Sequence, residues 1–242
     1  MKKFLLDNWQ SKLLDHYTKF MNLHELINNS EALAAHRNSL EYFAIEPSLH
    51  EEGTEENLRN SIVNDIQGLT THFASQTLVG MCTTLEVAMK DFFHSVFFTH
   101  PKFMTNYVGE EKNKGMIKFS EITSAKSLES LMYDQAEKSA GIASRGKYSK
   151  CLLQAGQLCD SPFNDDLISR IAEIQDIRNE VIHENALAEL TLENISEIHG
   201  TISNAIEGLG RIARSKGVEG NYTWLEGDYI ELLSFALVSP KT

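Results

Sequence analysis

Arg178, Asn179 and His183 carry most of the chemistry legible in this chain, and they lie within ten residues, Ile174–His183. Arginine is a permanent, planar cation with five donors in a fork, suited to an anion or to charge building in a transition state. Imidazole titrates near neutrality and suits proton transfer. The surroundings make the arginine conspicuous. On a helix turning about 100° per residue, Leu167, Ile168, Ile171, Ile174, Ile177, Val181 and Ile182 fill half of the circumference, with Arg178 near the middle of that apolar arc. A guanidinium does not lose its proton there, so it must be paired, open into a cleft, or face a partner subunit. Gln175, Asn179 and His183 form a polar stripe beside it. Five residues subtend about 140° on a straight helix, so Arg178 and His183 converge only if the helix distorts, the arginine reaches around, or two chains share the site. Two bland readings stand beside this. Arg178 could form a buried ion pair with Glu86, and His183 could simply satisfy the carbonyls at a helix C-terminus.

The elements that position these residues read as helices almost throughout. Leu5, Leu6, Trp9, Leu13, Tyr17, Phe20, Met21, Leu23 and Ile27 recur at spacings of three and four, predicting an amphipathic first helix. Asn28-Asn29-Ser30 ends it and caps a second helix running through Leu33, Leu40 and Phe43 to Pro47. Glu51 to Glu56 reads as an acidic loop before a long helix over about 58–98, stopped by His100-Pro101. Residues 101–120 read as loop with one helical turn. Helices are expected at 127–138 and 148–158, separated by the small, polar stretch 139–146. Further helices follow at 165–183 and from Ile195 to about Gly210, with Leu190-Thr191-Leu192 as an extended link. After Gly217–Gly220 the tail, Tyr222 to Val238, reads as a strand turning at Gly227-Asp228 or a short final helix. The fold class is therefore all-α, an antiparallel helical bundle over 58–215 with an N-terminal helical extension, 1–57, and a C-terminal extension, 216–242.

Composition narrows the function classes. The 242 residues hold 22 Lys+Arg against 34 Asp+Glu, a net charge of −12, with 42% hydrophobic residues. That balance predicts a folded chain able to bury a large core and opposes sequence-independent binding of nucleic acid over the whole surface. The charge is uneven. Residues 100–150 carry nine Lys/Arg against six acids, about +3, which leaves about −15 for the rest. Arg211, Arg214 and Lys216 form a second small basic cluster. No apolar run reaches the roughly 18 residues of a membrane span, and Asp7-Asn8 interrupts the opening apolar stretch before it could form a signal-peptide core, so no membrane partner and a cytoplasmic location are expected. Cys82, Cys151 and Cys159 belong to no CxxC pair or metal-spaced cluster, and free, buried thiols with no chemistry are expected. Neither a metal nor another cofactor is implied.

The string Ile174-Gln175-Asp176-Ile177-Arg178-Asn179-Glu180-Val181-Ile182-His183 resembles the Arg-Asn-x-x-x-His signature of HEPN domains, helical proteins of which many are metal-independent ribonucleases. The earlier segment Thr84-Leu85-Glu86-Val87-Ala88-Met89-Lys90-Asp91-Phe92-Phe93 is similar to the first core helix of that fold, and the resemblance covers about residues 58–212. It implies a site formed where two copies of the motif meet across a two-fold homodimer. Arg178 would bind the scissile phosphate, and His183 would move the proton as the ribose 2′-OH attacks, so that the nucleophile comes from the RNA and no metal is required. Asn179 and Glu86 would support them. Lys112, Lys114 and Lys147 would supply a positive rim that guides RNA to an otherwise acidic dimer. Some HEPN toxins silenced by a nucleotidyltransferase partner carry a tyrosine two residues after the histidine, where this chain has Asn185.

The expectation is an endoribonuclease acting on tRNA or other single-stranded or looped RNA, in a toxin or anti-phage role with an antitoxin or activating partner. The alternative is a HEPN-like helical module without catalysis, used for protein or nucleotide binding. By default Glu86 and Lys90, one turn apart, form a surface pair. The run Phe92, Phe93, Phe97 and Phe98 reads as core or dimer packing.

Overall fold

The computed structural model describes residues 2–39, 53–109, 115–183 and 190–226. Over these residues the protein is all-α apart from one pair of two-residue strands, β1 (Phe4–Leu5) and β2 (Gly220–Asn221). The helices are α1 (Leu6–Ile27), α2 (Ser30–Ser39), α3 (Thr54–Thr99), α4 (Phe119–Ser124), α5 (Leu128–Ala143), α6 (Tyr148–Leu158), α7 (Asp165–His183) and α8 (Leu192–Ser215).

The axis of the core is the second half of α3. Leu78, Met81, Cys82, Leu85, Met89, Phe92, Phe93 and Phe97 are all buried on it, and α1, α5 and α8 pack around them. Each large apolar side chain buried this way contributes about 1.5–3 kcal/mol. α7 is added against α6, α8 and α3, which brings Arg178 to the level of Glu86. The first half of α3, residues 56–73, buries no side chain, although α2 lies along it.

Several expectations are corrected. Residues 4–27, part of the expected N-terminal helical extension 1–57, contribute Phe4, Leu6, Leu13 and Phe20 to the same core cluster as α3 and α8. Gln10, buried, donates to the Ser203 carbonyl and accepts from the Ser203 hydroxyl, both at 2.9 Å, which fixes α1 on α8. Close approach is permitted by glycine on both partners of α1. A Cβ on Gly210 would meet Leu6 at 2.6 Å, and one on Gly80 would meet the His16 ring at 2.7 Å. The parallel pairing of Phe4 with Gly220 and Leu5 with Asn221 then ties the start of the chain to the end of α8.

α3 begins at Thr54 inside the expected acidic loop, directly after Gly53, whose φ of 90° only glycine adopts readily. It runs through the expected boundary at residue 57 without a break. α5 continues five residues past Lys138 to Ala143, because Ser139, Ala140 and Ala143 are buried and small side chains pack there. α8 starts at Leu192 behind Thr191, whose hydroxyl accepts from Asn194 N–H at 3.2 Å while its own N–H donates to Asn194 Oδ1. Asn29 caps α2 through N–H groups of Glu31 and Ala32, in the place expected. The end of the second helix past Ser39 and the tail from Gly227 lie outside the described residues. Cys82, Cys151 and Cys159 are buried free thiols. Among the described residues no helix is long and apolar enough to cross a membrane.

Candidate functional site

α7 starts where Asn164 Oδ1 accepts from Asp166 N–H at 2.9 Å. It seats Ile171 and Ile174 in the core. Further along the same face the cover thins: Ile177, Arg178 and Val181 are only partly buried, and Ile182 is 43% exposed. The apolar arc read from the sequence is thus covered at one end and open at the other.

Arg178 leaves that arc toward α3. One terminal nitrogen lies 3.3 Å from Glu86 Oε1 and the other donates to Asn179 Oδ1 at 3.1 Å, while the buried Nε–H has no acceptor among the described residues. Arg178 is 20% exposed and Glu86 39%. The pair is therefore half-buried, where an ion pair retains part of its Coulombic strength without the full cost of desolvation. The ion pair anticipated as the architectural alternative is present. The Arg178 side chain is nonetheless not fully buried.

Tyr148, the first residue of α6, completes the cluster and was not singled out by sequence. Its buried hydroxyl donates to the same Glu86 Oε1 that Arg178 approaches, and its backbone N–H donates to Gln175 Oε1 at 2.8 Å. Gln175 in turn donates to the Gly146 carbonyl at 3.3 Å. Nothing in the spacing around Tyr148 marks it, because its role depends on α6 crossing α3. Burial first, and the bond to Glu86 second, raise the Tyr148 phenol above its ordinary value, so it stays a donor. Burial likewise pushes the adjacent Cys82 thiol up to about 12, with Arg178 pulling it down and Glu86 pushing it up by smaller amounts. The thiol is therefore inert in this charged neighbourhood.

Beside the cluster is an open groove of about 380 Å³ lined by Glu86, Val87, Lys90, Ser144, Gly146 and Tyr148. Lys90 does not pair with Glu86 as expected, but lies 3.9 Å from Glu137. One turn of helix brings its side chain along the groove, and α5 supplies a second acid. Lys147 is exposed, next to Tyr148, with exposed Arg145 and Lys150 on either side of it in sequence.

The remaining candidates are dispersed. His183 is exposed at the end of α7 and forms no hydrogen bond or ion pair among the described residues, so Arg178 and His183 do not meet within one chain. The basic stretch is also partly neutralised. Lys138 is paired with Glu121 at 2.7 Å, and in the second cluster Arg211 pairs with Glu207 and Arg214 with Glu226. Lys112, Lys114 and Asn185 lie outside the described residues. Among the described residues no three His, Cys, Asp or Glu side chains gather at metal-binding distance. The chain matches no protein-family model, and no curated protein or solved structure is significantly similar to it.

Proposed function

We propose that this protein is an endoribonuclease of the HEPN type, acting without metal as a homodimer. The observation that carries the reading is the partly exposed Arg178, held by Glu86 and Asn179 beside an open groove, on the helix that ends in an exposed His183. In the proposed reaction Arg178 exchanges some of its contact with Glu86 for a non-bridging oxygen of the scissile phosphate. His183, supplied from the partner copy or brought in at the dimer axis, takes the proton of the ribose 2′-OH as that oxygen attacks phosphorus. The P–O5′ bond breaks, the 5′-oxygen takes up a proton, and a 2′,3′-cyclic phosphate remains. The dimer reading is supported by Ile182 and Val87, 43% and 44% exposed, which lie next to the motif and offer apolar surface to a second copy. Exposed Arg145, Lys147 and Lys150, with Lys112 and Lys114, suit a rim for tRNA or another single-stranded RNA. A cytoplasmic toxin or anti-phage role with an antitoxin or activating partner belongs to the same proposal.

One observation favours the second reading, a non-catalytic helical module. Glu86 already neutralises Arg178, and Tyr148 fixes Glu86, as an architectural arginine would require. The test is RNA cleavage by the purified protein and its His183→Ala variant in excess EDTA, with identification of the new 3′ ends. Cleavage that leaves 2′,3′-cyclic phosphate and is lost in the variant is the expected result. If the wild type cuts no RNA and its expression is no more toxic than that of the variant, the module reading holds. Charge reversal at Lys112, Lys114 and Lys147 should weaken RNA binding and flatten its salt dependence by about 0.7 for each phosphate no longer neutralised.

A further inference from the structure

α3 and α5 pack together, and two of their side-chain contacts sit one helical turn apart. In one, the ring of His94 on α3 meets the ring of Tyr133 on α5 in a T-shaped contact, with centroids 4.6 Å apart. In the other, Lys90 lies 3.9 Å from Glu137. The two members of the first contact differ in exposure. His94 is 5% exposed and its Nε2 has no hydrogen-bond partner among the described residues, whereas Tyr133 is 41% exposed. The Tyr133 ring also touches Phe98, at 6.0 Å between centroids, and with it lines an open groove of about 620 Å³ that reaches Lys2 and Leu5. One exposed ring thus covers a buried imidazole. The charged groups around His94 come from three segments. Lys2, ahead of β1, binds Asp91 of α3 at 2.7 Å, Asp91 also accepts from Trp9 Nε1 at 3.0 Å, and Lys90 and Glu137 occupy the neighbouring contact. Burial first, then Lys2, holds the imidazole below its ordinary value near 6.5; Glu137 and Asp91 pull it up, and Lys90 pushes it down, by smaller amounts.

We propose that His94 and Tyr133 form an acid-operated gate between α3 and α5: when His94 takes up a proton from solvent, Tyr133 turns out of the contact and opens the imidazolium to water and to Glu137. An imidazolium donates from both ring nitrogens, and in the closed contact Nε2 has no acceptor among the described residues. A charge left buried and unpaired there favours any rearrangement that solvates it. Glu137 stands one turn from Tyr133 on α5, and Lys90 one turn from His94 on α3. The carboxylate therefore exchanges its long contact with Lys90 for the new cation without displacement of either helix. Because the open form binds the proton more readily, the closed form prevails above about 6.5 and gives way by up to about tenfold per pH unit as pH falls from there through the closed value. The gate involves neither Arg178 nor His183 and does not rest on the ribonuclease reading.

The test is NMR of the full-length protein between about pH 8 and about pH 5, following the His94 and Tyr133 ring signals, with broadening by a soluble nitroxide as the measure of ring exposure. The His94 ring should titrate below about 6.5. Over the same midpoint, broadening of Tyr133 should rise about twofold, as its ring goes from 41% exposure toward full exposure. In His94→Phe the Tyr133 signals should keep their high-pH broadening throughout. If that variant does not fold, Glu137→Gln, at a side chain 53% exposed, takes its place: loss of the carboxylate should lower both midpoints together. Titration of His94 without added broadening of Tyr133 would mean that the closed contact accommodates the imidazolium, and would overturn the gate. So would a His94 ring that stays neutral down to about pH 5, below the range in which a histidine device operates. Acid broadening of Tyr133 that persists in His94→Phe, or that departs from the His94 midpoint in Glu137→Gln, would overturn it as well.

Discussion

Arg178 and His183 stand at the two ends of one short motif on α7, and their surroundings are opposite. At Arg178 the helix faces α3, and the side chain is held by Glu86 and Asn179 beside a buried tyrosine. At His183 the ring is exposed and held by nothing among the described residues. A group that stabilises charge benefits from being fixed before the reaction, because its dipoles then need no reorganisation. A group that moves a proton must reach both substrate and solvent. The contrast suits the proposed division of labour. It also shows why position on a helix wheel could not decide the matter: the two residues share a helix but not an environment.

The largest test of this contrast compares the two alanine variants. Both should lose RNA cleavage, Arg178→Ala by about 10²–10³-fold and His183→Ala by about 10²–10⁴-fold. Only Arg178→Ala should also unfold at lower urea, by about 2 kcal/mol, since it strands a half-buried Glu86. Equal stability of the two variants would remove the physical distinction between the two positions. Tyr148→Phe comes next, with about 1 kcal/mol lost from the hydroxyl that Glu86 accepts. RNA affinity should be unchanged, which direct binding measurements can check.

Glu86→Gln sharpens the contrast in the other direction. It removes the internal competitor for Arg178, so RNA should bind about three- to tenfold tighter at low salt, with a steeper salt dependence by up to about 0.7. No change in that slope would show that the guanidinium never meets phosphate. The smallest effect concerns pH. Burial holds His199, stacked on Tyr17, below its ordinary value near 6.5. The unfolded chain therefore binds the proton first. Stability from this residue is fully present above about 6.5 and is lost as pH falls from there through the folded value. His199→Gln should flatten the acid side of a stability profile measured by urea unfolding, and leave it unchanged at pH 8.

Periodicity located α1, α6 and α7 closely because each has one continuous apolar face. It failed where burial depends on small residues or on a neighbour. The stretch 139–143 looks like a polar break, yet it is the last turn of α5, in which Ser139, Ala140 and Ala143 are buried. Residues 1–57 look like an addition, yet α1 supplies part of the main core, through close contacts at Gly80 and Gly210 that a local pattern does not announce. In the candidate site the awkward Arg178 and its partner Glu86 were legible, because a fixed charge in an apolar arc demands an answer. Tyr148 was not, because a tyrosine at a helix start carries no such demand.

The sequence by itself determined the helical class, the placement of most helices, the acidic charge with its basic interval, and the conflict posed by Arg178. These follow from local spacing and from side-chain chemistry that no neighbour can alter. Only the tertiary structure decided that Glu86 and Tyr148 answer that conflict and that His183 remains apart. The reason is geometric: residues 62 and 92 positions apart in the chain meet only after α6 and α7 have packed against α3.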